Sequence, residues 1–101
     1  MKEVYILVKF VLNEGVKIED WKKMSDGITS DMNGTDGLQF RESAVDENWN
    51  VYCILKWDTM EQRTAFHDNM MKEFEEKPEI MEAFWKLAKM DSMDTSILKV
   101  I

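Results

Sequence analysis

The residues with chemical capacity are few, which narrows what the chain can do. His67 is the only histidine and Cys53 the only cysteine. A histidine titrates near neutral pH, so His67 is the natural candidate for moving a proton or orienting a polar ligand. The competing reading is a histidine on a helix flank, bonded to backbone or water. A lone histidine without an HxxxE-type partner gives no metal-ligand spacing. Cys53 lies between Val51 and Ile54-Leu55. A nucleophilic cysteine needs a base and an electropositive setting, and neither is visible nearby, so Cys53 reads as a small buried apolar residue. Trp21, Trp49, Trp57 and Trp85 fall at amphipathic spacing. Core packing explains at least two of them, and Trp57 and Trp85 stand out as candidates for lining an aromatic pocket. Asp68, Asn69, Glu73, Glu75 and Glu76 read as a solvated helix face, with no spacing that singles out a catalytic carboxylate pair. The glycines form neither a GxGxxG nor a GxxxxGK[ST] loop, so no nucleotide-binding motif is present.

The elements that would position these residues are legible from periodicity. Glu3 to Leu12 is rich in β-branched and aromatic residues and is apolar on both faces, which predicts a strand covered on both sides. Asn13 to Gly15 is a turn. Val16 to Met32 has helical spacing at Ile18, Trp21, Ile28 and Met32. A breaker cluster at Asn33–Gly37 precedes an alternating strand, Leu38 to Val45, then a hairpin-like turn and a strongly β segment, Trp49 to Trp57. Asp58 and Thr59 each have Glu or Gln three residues on, the capping-box pattern, so a helix is expected from about Met60 to Glu75. Pro78 starts another, to about Met90, and Thr95 to Ile101 closes as a strand. The order β-α-β-β-α-α-β predicts an α+β, ferredoxin-like antiparallel sheet with helices on one face, within a single domain spanning residues 1–101. The second apolar sheet face then calls for self-association, most simply a dimer with sheets face to face.

Composition agrees with a folded soluble domain. Hydrophobic residues make up 45% and charged residues 33% of the chain. A net charge of −7 makes nucleic acid and anionic membrane surfaces poor partners. The first apolar run lacks a basic n-region and a small-residue cleavage site, so it reads as a strand rather than a signal peptide. With one cysteine, the expected location is a reducing cytoplasm. Nine Met, five Phe and four Trp supply many large adaptable side chains, suited to an irregular cavity or an interface.

Residues 51 to 67 carry a resemblance. The run Tyr52-Cys-Ile-Leu-Lys-Trp57-Asp-Thr-Met-Glu-Gln-Arg-Thr-Ala-Phe66-His67 is similar to the signature of the antibiotic biosynthesis monooxygenase (ABM) family. That signature is a hydrophobic strand ending in Trp, then Asp or Glu with Ser or Thr, then a helix bearing His. The interval from Trp57 to His67 is one residue longer than usual in the family. The element order also matches over nearly the whole chain. The resemblance implies a dimeric α+β barrel and a pocket between sheet and helices. It also implies, as in some members, cofactor-free oxidation of quinols or polycyclic aromatics by molecular oxygen. Haem-degrading relatives carry an Asn on the first strand and a His on the last helix; here the first-strand position is Val8, and Pro78 to Met90 contains no His. The expected site therefore uses His67 as the catalytic group, with Val8, Tyr52, Trp57, Phe66, Met70, Phe74 and Trp85 around a small aromatic substrate and no cofactor or metal. A non-catalytic ligand-binding or regulatory dimer, or an isomerase or cyclase, is the alternative on the same scaffold.

Overall fold

A computed structural model describes residues 2–101. The elements are β1 (Val4–Phe10), α1 (Ile18–Met32), β2 (Leu38–Val45), β3 (Val51–Trp57), α2 (Met60–Glu76), α3 (Pro78–Leu87), a 3₁₀ turn (Met90–Ser92) and β4 (Asp94–Lys99). The four strands form one antiparallel sheet in the order β2-β3-β1-β4. This is an α+β fold consistent with a ferredoxin-like arrangement. β1 is central, pairing Val8 with Cys53 of β3 on one side and with Thr95 of β4 on the other.

Alternation along the two middle strands sorts the core. Val4, Ile6 and Phe10 of β1 and Val51, Cys53 and Trp57 of β3 are buried on one face. All three helices pack there, in two clusters. One gathers Phe10, Trp21, Val51, Cys53 and Ala88, with Phe84, Trp85 and Leu87 of α3 against them. The other gathers Val4, Ile6, Met32 and Trp57, with Met60 and Phe66 of α2 against them. Val8, Ile28 and Leu55 touch both. The first cluster is tightened by edge-to-face ring contacts, with centroids 4.9 Å apart for Phe10 and Trp21 and 5.8 Å for Trp21 and Phe84.

Local chemistry explains the element ends. Thr59 is the N-cap of α2: its Oγ1 accepts from the Gln62 backbone N–H at 3.2 Å, so of the two capping options Thr59 is the one used. Gly37 has φ +83, and a Cβ there would run into the Gln62 side chain; only glycine fits. Asn13 closes α3, its Nδ2 donating to the carbonyls of Trp85, Lys86 and Ala88 at 2.9, 3.1 and 3.3 Å.

Three expectations shift. The last helix ends at Leu87 rather than Met90, and the chain turns through the 3₁₀ segment instead. β2 carries an irregularity between Leu38 and Phe40, which splits its apolar set. Leu38 joins the helix-packed cluster, while Phe40 turns to the opposite face against Tyr5, centroids 6.5 Å apart. Trp49 is not in a strand: it sits in the β2–β3 turn at φ +64, 64% exposed. A left-handed conformation is unfavourable for a bulky side chain. Trp49→Gly should therefore raise stability by about 0.5–1 kcal/mol, the strain relief less the added chain entropy of glycine. A higher urea midpoint at unchanged m-value is the expected reading.

Candidate functional site

The end of β3 lies beneath α2, with Met60 and Phe66 packed against its last residue's cluster. Trp57 is 1% exposed and lies opposite Val4 of β1 and Leu38 of β2. Its strand position decides this: every second residue of β3 faces the helices, and Trp57 shares that parity with Val51, Cys53 and Leu55. Phe66 of α2 leans over it, centroids 5.4 Å apart and planes at 43°. The indole Nε1–H of Trp57 is buried with no hydrogen-bond partner. Leaving such a donor unsatisfied costs about 1–3 kcal/mol, and the groups around it, Val4, Ile6 and Met32, offer no side-chain oxygen. An oxygen atom brought in by a small molecule would satisfy it.

His67 follows Phe66 on α2 and is half-buried. It makes no side-chain hydrogen bond to any described residue. α2 has no fully buried residue, in contrast to α1, and its apolar row of Phe66, Met70 and Phe74 is only half-buried. Across the sheet, the helix-side residues of β4 are also uncovered: Thr95 and Lys99 are exposed, and Ile97 is 47% exposed. The helical layer thus covers most of the helix-side residues of β1 and β3 and hardly any of β4.

The expected lining residues divide. Val8, Trp57 and Phe66 share one cluster. Trp85 belongs to the other, stacked edge-on against Phe84 at 4.9 Å, with Val8 common to both. Met70, Phe74 and His67 lie along α2 outside either cluster. Tyr52 is on the opposite face of the sheet from Trp57. Its hydroxyl donates to Asp46 Oδ2 at 3.1 Å, and Lys9 Nζ sits 5.9 Å from its ring centroid. A hollow of about 450 Å³ lies elsewhere, between the β2–β3 turn and the segment after β1, beside Leu12, Ile18 and Trp49.

Arg41 is a residue that sequence patterning passed over. It points inward from β2, 9% exposed, and hydrogen-bonds α1. Only its place in an alternating strand signals this, and the irregularity at Leu38/Phe40 obscures the parity. Beside it, burial pushes the Cys53 thiol above its ordinary value, against the opposing pull of the Arg41 charge. Cys53 is accordingly a buried thiol, not an activated nucleophile.

Among the described residues no group of three or more His, Cys, Asp or Glu is placed to hold a metal ion, and no helix is long and apolar enough to cross a membrane. No family model matches the chain, and no curated protein is similar to it in sequence.

One carboxylate shift has a clear cause. The Asn50 side chain donates to Asp46 at 2.9 Å, the backbone N–H groups of Asn50 and Asn48 donate at 2.9 Å each, and Tyr52 adds its hydroxyl. These bonds hold the Asp46 carboxyl below its ordinary value of 3.8, Asn50 contributing most. A depressed carboxylate contributes stability above its unfolded value, lost as pH falls through the lower folded value. The β2–β3 turn should thus loosen only in acid below about that ordinary value. Asp46→Asn should flatten the acid limb of stability against pH, read by urea denaturation across that range.

Proposed function

We propose that this chain is a cofactor-independent monooxygenase of the ABM type, acting on a small aromatic or quinol. Support comes from the buried, unpartnered indole N–H of Trp57 in an apolar cluster with one aromatic lid, Phe66. That is the observation on which the reading rests. A phenolic substrate would place its oxygen against Nε1 and its ring against Phe66. His67, next to Phe66 on the loosely held α2, would take the phenolic proton. The resulting electron-rich phenolate reacts with oxygen itself, so the protein need supply only a dry apolar surface, one donor and one base. The balance is simple. In the anthrone-like case the phenol is the enol of a ring CH₂ ketone; that CH₂ loses two hydrogens and gains one oxygen atom as a carbonyl, and the second oxygen atom leaves with the two hydrogens as water.

The assembly proposed with it is a dimer packed through the outer sheet face. That face carries Leu98, Tyr5 and Phe40 in one cross-strand row and Leu7 and Ile54 in the next, by register, and no helix residue of either core cluster lies on it. Phe40 and Leu98 are 37% and 49% exposed. Lys9, Lys56, Glu42 and Asp94 also lie there, so the surface has both signs of charge available for a two-fold pairing. The substrate and the homodimer are the proposed partners, in a cytoplasmic setting.

Purified protein should consume oxygen with anthrone-like phenols or quinols. His67→Ala should lower that rate about 10²-fold or more. Trp57→Phe, which removes the donor and keeps an aromatic ring, should weaken the rate as well. Unchanged oxygen uptake in both variants removes the assigned roles. Binding without oxygen uptake leaves a ligand-binding dimer. In sedimentation, a species of only 12.0 kDa at micromolar concentration excludes the dimer.

A further inference from the structure

Arg41 is a buried cation without an anion. Its Nη1 donates to Ser25 O at 3.2 Å, Ser25 Oγ at 2.8 Å and Thr29 Oγ1 at 2.9 Å. Its Nη2 faces Cys53 Sγ at 3.5 Å. Every one of these partners is neutral when the thiol is protonated, and burial keeps it so. The ion pairs among the described residues join Lys22 to Asp26 and Lys56 to Glu3; neither involves Arg41. A guanidinium does not lose its proton in a protein, and charges buried to this degree are normally paired. Hydrogen bonds to hydroxyls and a carbonyl orient the group but leave its charge uncompensated.

Arg41 also opens onto a cavity of about 250 Å³ at the free edge of the sheet, between the end of α1 and the start of β2. Thr29, Asn33, Leu38, Gln39 and Phe40 line it with Arg41. Arg41 is the one charged side chain of that lining, and its Nε–H has no acceptor among the described residues. We propose that this cavity binds a small monocarboxylate, with the carboxylate on the Arg41 guanidinium and an apolar body against Leu38. The site has one cation, so it matches one negative charge. The chain's net charge of −7 disfavours a multiply charged phosphate. The Asn33 amide provides a neutral donor beside the carboxylate; the Gln39 amide is already held by Glu3 and Asp58. The site does not depend on the oxygenase reading and uses none of its proposed catalytic groups.

Benzoate is the probe, with acetate, inorganic phosphate and chloride as arms at matched ionic strength. Benzoate should raise the melting temperature saturably, acetate less, and phosphate no more than chloride. In two-dimensional NMR of the wild-type protein, benzoate should move the side-chain amide signals of Asn33. Arg41→Met should lose affinity by about 30-fold or more. It should also fold without ligand, because it replaces an uncompensated buried charge by an apolar chain of similar length. Arg41→Lys, which keeps the charge but not the planar fork, should bind more weakly than wild type. The proposal is overturned if benzoate leaves the wild-type spectrum unchanged, or if the shifts fall only around Phe66 and His67. It is equally overturned if chloride or phosphate matches benzoate, or if Arg41→Met binds like wild type. The wild-type spectra decide the matter even if a variant does not fold.

Discussion

β1 is paired along both edges, and the rest of the molecule is arranged around that fact. All of its residues pair with β3 on one side and Val4 to Lys9 pair with β4 on the other, so no backbone group of its centre is left for solvent. Its alternation then fixes two environments. Val4, Ile6 and Phe10 seed both core clusters under the helices, while Tyr5, Leu7 and Lys9 must face the other way. A one-residue slip would exchange the two sets and bury Lys9. The parity of β1 dictates the parity of β3, and so which of Tyr52 and Trp57 faces the helices.

Much of this was legible in the sequence. Strand and helix existence followed from period and from breakers such as Asn33–Gly37, and the Thr59 cap from its partner three residues on. Tyr52 and Trp57 are five positions apart, an odd interval, so strand periodicity alone separates them to opposite faces. A resemblance that treats both as lining one pocket overlooks this within a single chain. Other features were not legible because tertiary geometry decides them. The irregularity in β2 reverses which face Phe40 takes, and no local preference announces it. Trp49 has strong strand propensity, yet the turn between β2 and β3 needs a residue at positive φ there and the turn prevails. Trp85 has the spacing of a helix core residue, but spacing does not say which end of the sheet the helix covers.

The two most informative polar groups are misfits of the same kind. Trp57 has a buried N–H with no acceptor, and Arg41 has a buried charge with no counter-charge. Both lie on the helix-covered face of the sheet, where most neighbours are apolar and water is excluded. In such surroundings an unmet donor strengthens whatever acceptor reaches it. Neither group is needed to fill space, since Met or Phe would serve. Local consistency otherwise holds along the chain, so these departures point to sites of use rather than to general poor packing.

The double pairing of β1 also has a temporal side. On one edge Val4 meets Trp57 of β3, whereas on the other it meets Lys99 of β4, with α2 and α3 lying between the two partners in the chain. As the chain emerges from the ribosome, β1 can join β3 and β2 as soon as they are out, but its second edge stays unpaired until β4 follows. During that interval a hydrogen-bonding edge flanked by Val4, Ile6 and Val8 is open to any other extended segment. The nascent chain is therefore vulnerable to misassembly between the emergence of β3 and that of β4, and β4, the least covered strand of the sheet, is the one that ends that exposure.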